Sequence, residues 1–278
     1  MYRLSKVLNN NGVLAFDTET DREVIILGNG IGFGKHAGER VESFPGARLY
    51  ALVTQKRETS ALKIVNGIDP VFLEVTGRII EAAERRFGEV NRDILLPLAD
   101  HIALAVKRAK EGKELPNPFT PDIRALFTEE YQAALEGREI IREQTGSVIS
   151  DDEVGYITLH IHSALSDEDV AQAMDTARLV KESIEMIEAG LGMKFPASSL
   201  GYNRIMTHIR YMIARVRKDE GVNLDMEDYV KLKFPAAYRL AEQVCKKLEK
   251  DLGKKIAAEE AGFLGLHIQR ATSAQPES

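Results

Sequence analysis

From about residue 67 onward the chain repeats itself without a gap at an offset of 107 residues, the separation of His101 from His208 and of His160 from His267. Asp100-His101-Ile102 aligns with Thr207-His208-Ile209, and Glu153-Val154-Gly155-Tyr156 aligns with Glu260-Ala261-Gly262-Phe263. At the same offset Arg108 falls on Arg215, Phe127 and Tyr131 on Phe234 and Tyr238, and Gly146 on Gly253. Chance does not hold so many landmarks in one register, so this part of the chain has to fold as two copies of one module. Two of the matched pairs are histidines. Histidine titrates near neutral pH and accepts phosphoryl groups as a nucleophile, so the copies read as a duplicated regulatory or catalytic device.

The repeat leaves an N-terminal remainder of about 60 residues, and a chain of 278 suits two or three domains. The remainder reads as strands over Tyr2–Leu8, Val13–Phe16, Glu23–Leu27 and Arg48–Val53, broken by the turns Asn9-Asn10-Asn11-Gly12, Asp17–Asp21 and Pro45-Gly46. A domain this small buries only about 60% of its unfolded surface. A second copy would cover its apolar face and open edges, so a dimer is expected. Each repeat reads as about five helices. Phe72, Val75, Ile79 and Ile80 recur at helical spacing, and Ser150-Asp151-Asp152-Glu153 is a capping box opening a helix through His160. The expected division is an antiparallel all-β segment 1–58, a linker 59–66, and all-α modules 67–170 and 171–278, with a polar end from Ala271 that frays.

Residues 1–58 carry eight Lys or Arg against seven acidic groups, and the remaining 220 carry 29 against 36. The acidic modules are a poor nucleic-acid surface; only the N-terminal segment could take RNA or DNA without opposing the local field, and its near-zero net charge does not by itself predict such binding. No apolar run approaches the roughly 18 to 20 residues of a membrane span, and Cys245 is the only cysteine. A soluble cytoplasmic protein without disulfides is expected.

On the helix after the capping box, Glu153, Tyr156, Ile157 and His160 share one face, and His162 points nearly opposite. That geometry disfavours a His-x-His clamp within the helix, and neither repeat has the His-Glu-x-x-His spacing of zinc hydrolases. Asp100-His101 resembles a reversed metal-phosphohydrolase pair, but Thr207 replaces the aspartate in the second copy. His162, matched by Gln269, and His36 read as structural. Gly28-Asn29-Gly30-Ile31-Gly32-Phe33-Gly34-Lys35 fails both the P-loop and Rossmann patterns. It reads either as a hairpin loop with permissive glycines or as a loop approaching RNA, with Phe33 as a stacking platform and Asn29 and Lys35 as edge and phosphate contacts.

With Lys6-Val7-Leu8-Asn9-Asn10-Asn11, the glycine loop, Leu98-Ala99-Asp100-His101-Ile102, Glu153 to His162, Thr207-His208-Ile209-Arg210 and Leu266-His267-Ile268, the chain resembles the BglG/SacY/LicT family of transcriptional antiterminators, and most its glucose-type branch. The resemblance covers essentially the whole chain. It implies a dimeric co-antiterminator domain that binds an antiterminator hairpin in a leader mRNA, followed by two five-helix PTS regulation domains, with no enzymatic activity, cofactor or metal. It implies RNA contacts at Ser5, Lys6, Asn11, Gly28, Asn29 and Phe33. Several relatives carry a basic residue where this chain has Asn29, which removes a phosphate or guanine contact. It also implies phosphorylation at His101, His160, His208 and His267, with the sugar permease (Enzyme II) and HPr of the phosphotransferase system as donors. The alternative class is a phosphocarrier whose paired histidines pass phosphate onward, which would need no RNA-binding segment.

Overall fold

The computed structural model describes residues 1–51, 67–196, 199–222 and 226–273. The end of the fourth expected strand, the linker 59–66 and the last residues of the polar end lie outside them. The described chain divides into two compact units, Met1–Ala173 and Met174–Ser278.

The first unit opens with β1 (Tyr2–Asn9), β2 (Gly12–Asp17), β3 (Arg22–Leu27), β4 (Arg40–Val41) and β5 (Arg48–Ala51), in an antiparallel sheet of order β4-β1-β2-β3-β5. The two-residue β4 is too short to carry an alternating pattern, which is why sequence reasoning missed it. In β1 the pairing with β2 shifts between Leu4 and Lys6 and again between Val7 and Asn9, so Ser5 and Leu8 sit at irregularities of the ladder.

Alternation gives the sheet two apolar faces. Leu4, Val13, Ala15, Val24 and Ile26 form a small core on one, closed by side chains such as Val7, Ile31 and Phe44. Leu14, Ile25 and Tyr50 on the other join the core of the helices that follow, with Leu73, Ile79 and Ile80. The helix responsible is α1 (Pro70–Phe87), capped by Asp69, whose side chain accepts from Val71 N. It approaches closely because Gly77 has no side chain: a Cβ there would stand 2.9 Å from Leu27 Cδ1. The sequence argument gave a second copy the task of covering the sheet's apolar face, and α1 of the same chain covers this one. The seam is edged by charge. Arg48 pairs with Glu81 at 2.9 Å and with Glu84, and Arg92 reaches Glu84 at 2.6 Å.

After a short 3-10 turn, the unit continues through α2 (Leu95–Glu111), α3 (Thr120–Leu126), α4 (Thr128–Thr145) and α5 (Asp151–Leu165). The second repeat supplies α6 (Val170–Leu191), α7 (Leu200–Lys218), α8 (Glu227–Lys233), α9 (Pro235–Leu252) and α10 (Ala258–Ser273). Each repeat therefore forms five helices, as its periodicity predicts. The offset reaches the backbone itself: Gly112 and Asp219, matched in register, both end a helix in the left-handed region at φ 65° and 56°.

Candidate functional site

Each helical repeat builds the same constellation of half-buried histidines and an arginine around a buried glutamate. In the first, α2 contributes His101 and Arg108, nearly two turns apart and so on one face of the helix, and α5 contributes Glu153 and His160. Glu153 is only 3% exposed. Its backbone N–H donates to Ser150 Oγ at 3.4 Å, as the capping box requires, but its carboxylate turns away from the cap. One carboxylate oxygen accepts from Arg108 Nε at 2.8 Å, and the other lies 3.2 Å from His101 Nε2, close enough for an ion pair but outside hydrogen-bond alignment. The His101 and His160 rings stand 5.4 Å apart between centroids, with Tyr156 5.6 Å from His101.

The second repeat reproduces this with α7 and α10. Arg215 donates from Nε and Nη2 to the two oxygens of Glu260, both at 2.8 Å, and His208 Nε2 lies 3.5 Å from Glu260 Oε2. The His208 and His267 rings are 4.8 Å apart, and Phe263 takes the place of Tyr156 at 6.3 Å from His208. Thus the structure brings the four singled-out histidines together as two pairs. Sequence reasoning used Arg108, Arg215, Glu153 and Glu260 only as landmarks or caps. Their role was signalled by opposite charges preserved in register across a duplication.

The electrostatics fit a nucleophile. Burial, helped by the neighbouring His101, pushes the His160 pKa down to about 3. Burial, followed by His267 and Arg215, brings His208 down to about 3 as well. His267 is lowered by burial, then by Arg270 and Arg204. These imidazoles are neutral at pH 7 and keep a lone pair for attack on phosphorus. Burial raises the Glu153 pKa, but His101 and Arg108 outweigh it and hold the carboxyl below its usual range, so the anchor stays charged.

His162 is structural, as expected: it is buried, stacks on Phe127 at 4.1 Å between centroids and places Nδ1 3.0 Å from Glu130. Cys245 is buried, which pushes its thiol up to about 12 and leaves it inert. Among the described residues no group of three or more His, Cys, Asp or Glu side chains is placed to hold a metal ion, and no helix is long and apolar enough to cross a membrane.

At the other end of the first unit, the Asn9–Asn11 turn and the glycine loop are laced together. Asn11 is the hub: its carbonyl accepts from Gly28 N and its side-chain oxygen from Gly30 N, both at 2.9 Å. Gly32 N donates to Asn10 O at 2.9 Å, and a Cβ at Gly32 would collide with the Asn9 carbonyl oxygen. The loop is therefore a fixed turn, with Phe33 at its tip 74% exposed and Asn29 also exposed. Ser5 and Lys6 lie further back on β1, at its first irregularity. The Asn11 amide donates to Glu74 of α1 at 3.0 Å, and Asn9 bonds the same carboxylate. Nothing local in the sequence announced Glu74.

Comparison with known proteins places these features in context. Residues 2–58 match the family model of the CAT RNA binding domain, and residues 77–164 and 181–271 match that of the PRD domain. The chain is 32% identical over 275 residues to the PtsGHI operon antiterminator of Bacillus subtilis (strain 168), covering 98% of each chain. It is 31% identical over 280 residues to the GlcA/glcB genes antiterminator of Staphylococcus carnosus (strain TM300), covering 98% of this chain and 96% of that one. Among solved structures, that of GlcT CAT-PRDI matches with a TM-score of 0.52 and 34% identity, over 59% of this chain and 98% of that one.

Proposed function

Because this chain belongs to the family of transcription antiterminators that join a CAT RNA-binding domain to two PRD domains, we propose that it binds a hairpin in a leader mRNA and blocks formation of the overlapping terminator, under control of histidine phosphorylation by the sugar phosphotransferase system. Members of this family are not enzymes, which sets the phosphocarrier alternative aside. The operon is of glucose type, and the chain acts in the cytoplasm as a homodimer. Its functional division is 1–58 for RNA, 67–170 for the first regulation domain and 171–278 for the second.

The observation that carries this reading is the pairing of a rigid glycine loop, held by Asn11 and presenting Phe33, with two registered His–Glu–Arg–His constellations. Holding one of two exclusive RNA folds needs only differential affinity. The contacts fall to Ser5, Lys6, Asn11, Gly28, Asn29 and Phe33, with Phe33 stacking on an unpaired base. The acceptors are His101 and His160, phosphorylated by the Enzyme II permease, and His208 and His267, phosphorylated by HPr. A phosphoryl group adds about 1.5 to 2 negative charges to a half-buried imidazole, a change large enough to rearrange the helices around it or an interface between copies.

The test is a gel-shift titration of the full chain against a leader-type hairpin with internal loops, beside a loop-scrambled control. Selective binding lost in Phe33→Ala is expected, and equal binding to both RNAs would overturn the reading. In cells, the His101→Ala/His160→Ala double variant should give readthrough without inducer, measured by a leader reporter.

A further inference from the structure

The two histidine pairs are framed alike but face different surroundings. In the second repeat a cavity of about 340 Å³ opens over the pair, walled by Arg204, Thr207, His208 and Tyr211 from α7 and by His267 from α10. Arg204, Thr207, His208 and Tyr211 fall at i, i+3, i+4 and i+7, so one helix face presents them all. Arg270 follows His267 by three residues on α10, which places it on the same side of that helix. Both guanidinium charges reach His267, and neither pairs with a carboxylate among the described residues. At the registered positions of the first repeat the chain has Pro97, Asp100 and Ser163 where the second has Arg204, Thr207 and Arg270. At these three positions one pair thus has two cations that pair with no carboxylate among the described residues, and its twin has an acid and no arginine.

We propose that Arg204 and Arg270 form a receptor for a phosphoryl group carried on His267, so that the second module retains its phosphohistidine and the first releases it readily. This rests on the assignment of the histidine pairs as phosphoryl acceptors. His267 Nδ1 is buried, which leaves Nε2 as the attacking atom. Its lone pair forms the new P–N bond as the P–N bond to the phosphohistidine of a donor protein breaks, and that electron pair returns to the donor's imidazole, so the exchange balances without another reagent. Hydrolysis of the product runs through a loose, metaphosphate-like transition state, driven by the charge of the phosphoryl dianion. Two guanidinium groups binding that dianion by charge-assisted hydrogen bonds stabilise it before it breaks down. In the first module Asp100 offers the opposite field.

The experiment uses the full chain phosphorylated with phosphoramidate, with site occupancy followed by mass spectrometry of peptides kept at alkaline pH. The phosphohistidine on His267 should outlive those on His101 and His160 by roughly tenfold, the scale of one or more charge-assisted contacts. Arg204→Ala/Arg270→Ala should shorten that lifetime to the level of the first module without changing the lifetimes there. Arg204→Lys/Arg270→Lys should recover part of it by keeping the charge. Equal lifetimes in the two modules, or an unchanged His267 lifetime in the alanine variant, would overturn the receptor. Labelling of His101 or His160 with none at His267 would overturn it while leaving control through the first module standing. Failure of all four histidines to label would overturn the underlying assignment with it.

Discussion

His101 Nε2 lies 3.2 Å from one oxygen of Glu153 while Arg108 holds the other, so one buried carboxylate positions both a candidate phosphoacceptor and a guanidinium. Replacing it with the isosteric amide leaves Arg108 without its counter-charge. Glu153→Gln should destabilise the first unit by about 3 kcal/mol, the usual scale for breaking a buried pair from one side. Urea unfolding compared with wild type measures it, and a change within error would mean that Arg108 finds solvent instead.

The depressed histidines make stability depend on pH in a definite direction. His160 and His208 are pushed to about 3 in the folded chain, against about 6.5 when unfolded. Above pH 6.5 both states are neutral and the contribution is complete. As pH falls below 6.5 the unfolded chain takes up protons that the folded chain refuses down to about 3, so stability is lost toward acid at ~1 kcal/mol per pH unit for each histidine. Urea midpoints at pH 7, 6 and 5 should fall in sequence, and His160→Asn/His208→Asn should flatten the series.

Tyr50 is buried beneath α1, its hydroxyl has no hydrogen-bond partner among the described residues, and burial raises its pKa to about 12. A buried hydroxyl without a partner is destabilising. Tyr50→Phe should therefore raise stability by about 1 kcal/mol, read as a higher melting temperature. A loss would reveal a polar partner for that oxygen.

The glycine loop separates shape from contact. Phe33→Ala removes an exposed side chain, so RNA affinity should fall roughly tenfold to a hundredfold, the range for one stacked base, with the melting temperature unchanged. Gly32→Ala collides with Asn9 O and should lower both. Fluorescence anisotropy with a labelled hairpin, alongside thermal melts, tells the two apart.

Much of this was written openly in the chain because its signals are periodic or repeated. Alternation located β1, β2 and β3, the repeat fixed five helices in each module, and matched histidines announced two pairs. Long-range choices were not legible. Glu153 reads as a cap from its neighbours, and only folding shows its carboxylate turned toward α2. Glu74 meets Asn11 from 63 residues away, and Tyr50 joins the helical core rather than an interface between copies. Local pattern records which face of an element is apolar; it does not record which neighbour will cover it.

The shared core under the sheet limits how freely this protein can be recombined. Leu14, Ile25 and Tyr50 pack with Leu73 and Ile80, and the approach depends on Gly77 lacking a side chain. A chimera joined just after residue 58 would set a foreign sheet on an α1 surface shaped for Leu27 and Tyr50, or strand this sheet with one apolar face bare. A graft that keeps the second face of the sheet covered as it is here carries Glu74, Gly77, Glu81 and Glu84 of α1 along with the strands.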